Sequence, residues 1–274
     1  MAIVLVTAAI GLATRGGDSQ FTKATADPVI PAVTVPDATS IAGQLGPRDQ
    51  ELVSIGQKGV SIHRAGGRRK TVALTFDDGP GKDTPAILAI LKQTNVPATF
   101  FVVGREVQAN PQIVAQQVAG GHQIGIHTWN HPDMTKLSAA KQQREIIDTQ
   151  NAVINATGIA SRLFRAPYGA VSPSVIAAAE KNKLLSVLWD GDANDWQNPN
   201  AATIAQRVLS RVSPGAIILM HDGGGDRANT VAALPTIIKG LKQRGYEFAT
   251  VGDLVVSDPP TANDMSVDNR GVSE

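Results

Sequence analysis

The residues best able to do chemistry fall in five short runs. Asp77 and Asp78 are adjacent, His127 and His131 stand four apart in His127-Thr128-Trp129-Asn130-His131, and Arg165, the segment 190–195 and His221 follow. The chain has no cysteine, so a metal site must be built from imidazole and carboxylate. The same fact excludes thiolate sites, iron–sulfur clusters, a disulfide scaffold and a cysteine nucleophile. A spacing of four is one helical turn, which lets two imidazoles reach one ion. Adjacent carboxylates repel each other and are best tolerated near a cation. One carboxylate with two imidazoles leaves coordination positions open for water, as in catalytic rather than structural sites.

These residues need elements to carry them. From Thr71 the pattern alternates. Strands are expected over Thr71–Phe76, Ala98–Val103, Gln123–His127, Leu163–Pro167, Leu184–Asp190, Ala216–His221 and Glu247–Val251. Helices are expected over Thr84–Gln93, Pro111–Ala119, Ser138–Thr157, Pro173–Lys181, Ala201–Arg211 and Thr230–Arg244. Pro111 suits a first turn and Ser138 a cap. The strands are near-continuous apolar runs, as in a parallel sheet buried on both faces. An open doubly wound sheet and a barrel both fit this alternation. The polar strand ends favour the barrel: Asp77 and Asp78 follow the first strand, His127 ends the third, Arg165 lies near the end of the fourth, Asp190 ends the fifth and His221 the sixth. A barrel gathers all carboxyl ends on one rim, whereas an open sheet gathers only those beside a switch point. The expected fold is α/β, a distorted (β/α) barrel of seven or eight units.

The runs have a recognisable context. Thr75-Phe76-Asp77-Asp78-Gly79-Pro80, His127-Thr128-Trp129-Asn130-His131-Pro132, Arg165-Ala166-Pro167-Tyr168, Asp192-Ala193-Asn194-Asp195-Trp196 and Leu219-Met220-His221 occur in order across residues 71–252. Together they resemble the polysaccharide deacetylase family, the NodB-homology or carbohydrate esterase family 4 domain. The resemblance implies a NodB-like barrel related to the TIM barrel. It also implies a divalent metal, usually Zn2+ with Co2+ as an alternative, and hydrolysis of acetamido groups on β-1,4-linked N-acetylglucosamine polymers. Asp78, His127 and His131 look like the metal triad. Asp77 looks like the general base, Arg165 like its partner, His221 like the general acid and Asp195 like the carboxylate that orients it. The Tyr168 backbone N–H resembles an oxyanion donor, and Trp196 and Leu219 resemble walls of an acetyl-methyl pocket. Trp129 fits pocket wall or packing, Trp189 the core, and Asp190 and Asp192 loop shaping or substrate contact. His63 and His122 default to structural roles. The run Gly223–Gly225 lacks the lysine and helix start of a P-loop.

Composition narrows the partners. Of 274 residues, 25 are Lys or Arg and 24 Asp or Glu, a formal net charge of +1. That balance gives no electrostatic support for nucleic acid or an anionic membrane. Aromatics are 4%, too few to supply an extra aromatic-rich sugar-binding module. Residues 1–13 are apolar, too short to span a bilayer, which takes roughly 20 residues, and of signal-peptide length. Residues 1–26 therefore read as a signal peptide or membrane anchor, residues 27–66 as a Pro-rich linker with a short extension, 67–256 as the catalytic domain and 257–274 as a disordered tail. Arg64, Arg68, Arg69 and Lys70 read as a solvated turn. A secreted or cell-surface monomer is the expectation, with an acetylated glycan such as a chitin oligosaccharide or peptidoglycan as partner. The alternatives are an O-acetyl esterase of xylan type, a catalytically silent glycan-binding paralogue and a metal phosphoesterase. The intact Asp77, His221 and triad oppose the silent reading, and a phosphoesterase would want more cations than Arg165.

Overall fold

The computed structural model describes residues 45–267. The apolar amino-terminal run and the prolines before residue 45 lie outside the described residues, as do residues 268–274. Strands β1 (Ser61–Ile62), β2 (Thr71–Asp77), β3 (Thr99–Val102), β4 (Gln123–Ile126), β5 (Leu163–Phe164), β6 (Leu185–Val187), β7 (Gly191–Asp192), β8 (Ile217–His221), β9 (Glu247–Phe248) and β10 (Met265–Ser266) form one sheet. Its order is β10-β1-β6-β5-β4-β3-β2-β8-β7, with β9 beside β2. Only the β1–β10 pair is antiparallel among these strands.

The helices are α1 (Pro47–Gly56), α2 (Thr84–Thr94), α3 (Gly104–Ala109), α4 (Pro111–Ala119), α5 (Ala139–Thr157), α6 (Pro173–Lys181), α7 (Ala201–Arg211), α8 (Ala228–Gln243) and α9 (Val251–Ser257). Every residue of β2 is buried, because helices cover the outside of the sheet and side chains such as Phe76 fill it. Phe76 stacks on Phe100 of the next strand at 5.2 Å between centroids. The result is the expected distorted barrel, drawn shut at its seam by a single antiparallel bridge between Arg64 and Ala216. Among the described residues, no helix is long and apolar enough to cross a membrane.

Several expectations need correction. In the short extension, where Gln50–His63 reads as a short strand or two, β1 is such a strand, but the residues before it form the helix α1, and Leu52, Ile55 and Ile62 are buried in the core. The tail read as disordered from 257 is ordered to 267, with a 3-10 turn at Ala262–Asp264 and β10 pairing with β1. The strand read through Val251 stops at Phe248, and Val251 instead begins α9, capped by Thr250, whose side chain accepts the Asp253 N–H. Ser138 sits at the N-cap of α5 but its side chain makes no capping hydrogen bond. The basic turn is not simply solvated: Arg68 binds the buried Asp258 at 2.7 Å, and Arg64 lies 3.6 Å from Asp190 and 3.5 Å from Asp264.

Candidate active site

β2 ends on Asp77, and the chain then turns sharply. Asp78 adopts a left-handed backbone with φ 73°, and Thr128 (φ 68°), His131 (φ 60°), Tyr168 (φ 61°) and Asn194 (φ 47°) do the same. Positive φ is uncommon outside glycine and most costly for a β-branched residue such as Thr128. Five such residues around one rim mark where the fold gives up backbone comfort to aim side chains. His127 and His131 converge by this route. The spacing of four was read as one helical turn; the segment is instead an irregular loop after β4, and the two left-handed residues bring the imidazoles to 4.9 Å between centroids.

Asp78, His127 and His131 offer one ligand atom each, all within 4.8 Å of one another. Asp78 Oδ1 lies 3.2 Å from His131 Nε2 and 3.5 Å from His127 Nε2. It is buried and has no hydrogen-bond partner. His127 Nδ1 lies 2.8 Å from the Arg165 carbonyl, which can only accept, so Nδ1 carries a proton. The neutral tautomer then turns the bare lone pair of Nε2 toward a carboxylate oxygen. Two acceptors face to face call for a cation between them, and a carbonyl behind the ring is the usual means of orienting a ligating imidazole. The donor set fits a divalent metal. A proton can answer the same need as a metal ion: burial opposes ionisation of Asp78, but the close approach of His127 and the positive charge that His127, His221 and His131 can carry overcome it and lower its pKa. Burial opposes charge on His127, and Asp77 and Asp78 outweigh it and raise its pKa, whereas burial and His127 lower that of His131.

Arg165 stands behind this group, fully buried. Its Nη1 donates to Asp77 Oδ1 at 2.7 Å and to Thr75 Oγ1 at 2.8 Å, its Nε to the Val187 carbonyl and its Nη2 to that of Leu188. Its guanidinium lies 4.0 Å over the Phe101 ring. Asp77 Oδ1 is thereby held, while Oδ2 points toward the triad, 3.7 Å from His127 Nε2.

His221 closes the far side. Its Nδ1 lies 2.7 Å from Asp195 Oδ1, and its backbone N–H donates to Asp195 Oδ2 at 2.9 Å. Thr230 Oγ1 donates to the same Oδ2 at 2.7 Å. Burial works against the imidazolium, but Asp195 and then Asp77 and Asp78 raise the His221 pKa to about 9. Its Nε2 is left as the reacting edge. Asp222, the next residue, is buried under Gly79 and accepts from Thr84 Oγ1 at 2.6 Å. Burial, opposed by that bond and reinforced by Asp78 and Asp77, raises its pKa to about 7.

Tyr168 and Trp196 are the exposed aromatics at the rim, 69% and 55% accessible. The Tyr168 ring meets His131 edge-on at 4.7 Å, and its backbone N–H makes no hydrogen bond among the described residues, leaving it free for an oxyanion. Leu219 is buried on β8. Trp129 is resolved toward packing, since its ring covers Gly104 so closely that an added Cβ would stand 2.4 Å from it. Asp190 shapes a loop, accepting the Ile217 N–H at 2.9 Å, and Asp192 accepts that of Asn194. His63 and His122 lie away from the site, His122 accepting the Ala98 N–H at 3.2 Å. The structure thus brings Asp77, Asp78, His127, His131, Arg165, Asp195 and His221 together. Sequence reasoning missed Thr75, Thr230 and Asp222, hydroxyls and a carboxyl whose roles exist only through partners distant in the chain.

The sequence profile of the polysaccharide deacetylase family matches residues 64–187. A peptidoglycan-N-acetylglucosamine deacetylase of Listeria monocytogenes is 44% identical over 68% of this chain, and the chain spans 39% of that protein's length. A chitooligosaccharide deacetylase of Bradyrhizobium is 39% identical over 65% of this chain and 88% of its own. A solved structure, a CE4 family pseudoenzyme from Bacillus anthracis, superposes with a TM-score of 0.68 at 33% identity, covering 71% of this chain and 68% of that one. The pairs around Asp78, His127 and His131 stand in the fold these relatives share, and the chain belongs to the polysaccharide deacetylase family.

Proposed function

We propose that this protein is a metal-dependent deacetylase that hydrolyses acetamido groups of N-acetylglucosamine polymers, with peptidoglycan glycan as the first substrate and chitin oligosaccharides as the second. One observation carries the reading: a carboxylate held by Arg165 and an imidazole held by Asp195 flank the Asp78–His127–His131 group. A pseudoenzyme shares the fold, so the argument rests on those side chains and not on the barrel. The names of the Listeria and Bradyrhizobium relatives support the substrate class.

A divalent ion held by Asp78, His127 and His131, zinc by preference, supplies a Lewis acid and lowers the pKa of water. The chain's residues do the rest. Asp77 Oδ2, the oxygen not tied to Arg165, takes a proton from the attacking water as its oxygen bonds to the acetyl carbon. The Tyr168 N–H faces the oxygen that gains charge. The C–N bond then breaks, and His221 Nε2, protonated at neutral pH, gives its proton to the leaving nitrogen. Acetate and a free amine result. Asp195 keeps the imidazole oriented and stabilises its charge, as in catalytic triads. Leu219 and Trp196 offer apolar surface to the methyl group.

The reading extends to location. Polymeric peptidoglycan lies outside the cytoplasm, and the apolar run at residues 1–13 suits export; fractionation of cells expressing the full chain tests it. Acetate release tests the activity, measured on peptidoglycan, a chitin pentamer and acetylated xylan after chelation and after adding back Zn2+ or Co2+. Metal-dependent release from the amide substrates, lost in Asp77→Asn, is expected. Release from xylan alone would make the protein an O-acetyl esterase, and no release with metal bound would make it a binding protein.

A further inference from the structure

The loop that carries His127 and His131 has no helix or strand to hold it, yet it includes two residues in left-handed backbone. Its carbonyls are secured from one side, where the N–H groups of Gly104 and Arg105 at the start of α3 donate to Thr128 (2.9 Å) and Trp129 (3.3 Å). Its N–H groups are secured from the other side by a single side chain. Glu145, midway along α5, accepts from the Trp129 N–H at 2.7 Å and the Asn130 N–H at 2.9 Å through Oε2, and from Asn130 Nδ2 at 3.2 Å through Oε1. Thr128 Oγ1 accepts the His131 N–H at 3.1 Å and completes the turn.

Glu145 forms no ion pair among the described residues. A half-buried carboxylate that directs both oxygens at one loop is not there to balance a cation; its lone pairs meet donors that the irregular backbone leaves over. We propose that Glu145 is a positioning residue that fixes the His127–His131 loop in the conformation that binds metal, so that both imidazoles are set before the ion arrives. Preset ligands spare the ordering that binding would otherwise demand. This inference rests on the reading of Asp78, His127 and His131 as a cation site, and not on the identity of the substrate.

The test uses the full chain freed of metal, titrated with Co2+ and, against a chromophoric chelator, with Zn2+. Glu145→Ala is expected to weaken both ions by about 10–100-fold and to alter the visible Co2+ spectrum, with the far-UV circular dichroism unchanged. Glu145→Gln keeps an oxygen for the two backbone N–H groups and is expected to stay close to wild type. Asp148→Ala, exposed on the same helix, is expected to change nothing. Wild-type affinity and spectrum in Glu145→Ala would overturn the proposal, as would a Glu145→Gln as weak as the alanine variant, which would assign the effect to charge. If Glu145→Ala does not fold, Glu145→Asp, one methylene too short to reach the loop, takes its place with the same expectation and the same overturning result. Wild-type protein that binds neither ion would overturn the cation site itself, a failure visible in the first titration.

Discussion

At the scale of single residues, Asp77, His127 and His221 each tie one side-chain atom to a supporting group and leave the other turned to the centre of the candidate site. Asp77 gives one oxygen to Arg165 and keeps the other for the triad side. Arg165 is fully buried and its remaining donors go to neutral acceptors, the Thr75 hydroxyl and the carbonyls of Val187 and Leu188, so Asp77 is its one anionic partner among the described hydrogen bonds. Arg165→Met leaves the Asp77 carboxylate buried and unpaired, and removing one member of such a pair costs about 3–5 kcal/mol. Urea unfolding of the variant measures it; a loss within about 1 kcal/mol, the range of exposed pairs, would contradict the pairing. His221 shows the same division in its titration. Its raised pKa of about 9 keeps it protonated at neutral pH, so an acid role predicts that kcat/KM falls as pH rises through that limb. A cation at Asp78 removes one of the negative charges facing His221, which sets the limb of the loaded enzyme below that value. Asp195→Asn removes the largest stabiliser of the imidazolium, so the limb moves to lower pH; an unmoved limb would detach Asp195 from the acid. Asp222 is raised as well, but by burial that disfavours its charged form. Its carboxyl is raised from 3.8 to about 7, so the folded state binds more protons than the unfolded between those values and stability falls as pH rises through them. Metal-free Asp222→Asn is expected to match wild type near pH 4 and exceed it above pH 7 in chemical denaturation.

At the scale of elements, the ends of strands set direction and short irregular loops set the approach. The loop after β8 is the clearest case. Gly224 (φ 67°) lies so close to Asp78 that an added Cβ would stand 2.5 Å from its Oδ2, and Arg227 braces that loop through the carbonyls of Gly223 and Gly224. Two of the three glycines, Gly223 and Gly224, lay backbone directly against Asp78, and Gly225 faces Arg227. Gly224→Ala is therefore expected to displace Asp78 and abolish tight metal binding while the far-UV dichroism survives; a chelator competition equal to wild type would refute that packing. The strands themselves were legible in sequence, because both faces of β2 and β3 are buried and the apolar runs are continuous. The kinks at Asp78, Thr128 and Tyr168 were not, because nothing in an Asp, Thr or Tyr announces a positive φ. The pairing of His127 with His131 was reached through a helical spacing that the backbone does not have, so the right ligands followed from the wrong geometry. α1 and α9 were missed for a different reason. α9 is only seven residues long and starts on the last residue of the expected strand Glu247–Val251, and α1 buries only Leu52, Ile55 and Gly56.

At the scale of the whole molecule, the barrel is a ring of unequal strands, and its closure depends on segments that composition alone would assign to linkers. β1 and β10 have two residues each, too few to hold an edge by themselves. Side chains reinforce them. Asp258, 1% accessible, accepts from the Arg68 side chain at 2.7 Å and from the N–H groups of Arg68 and Arg69 at 2.8 and 3.1 Å, and Asp264 accepts the His63 N–H through its carbonyl. Burial disfavours the Asp258 carboxylate, yet the bonds from Arg68 and Arg69 hold its pKa below the usual range. The basic run before β2 is thus half of a clasp whose other half lies some 190 residues later, a separation no local pattern can display. Ending the chain after Ser257 removes both carboxylates and β10 and exposes the donors they satisfy. A hydrogen bond to a charged group contributes about 1.5–3 kcal/mol, and for a domain of this size each 1 kcal/mol lowers Tm by about 2–4 °C. The shortened protein is expected to melt roughly 5–10 °C lower while binding Co2+ with unchanged affinity, since none of the removed residues bonds to Asp78, His127 or His131. A melting point equal to that of the full chain would show that α9 and the Arg64–Ala216 bridge close the barrel alone, and a loss of Co2+ affinity would show that the seam and the rim are one mechanical unit.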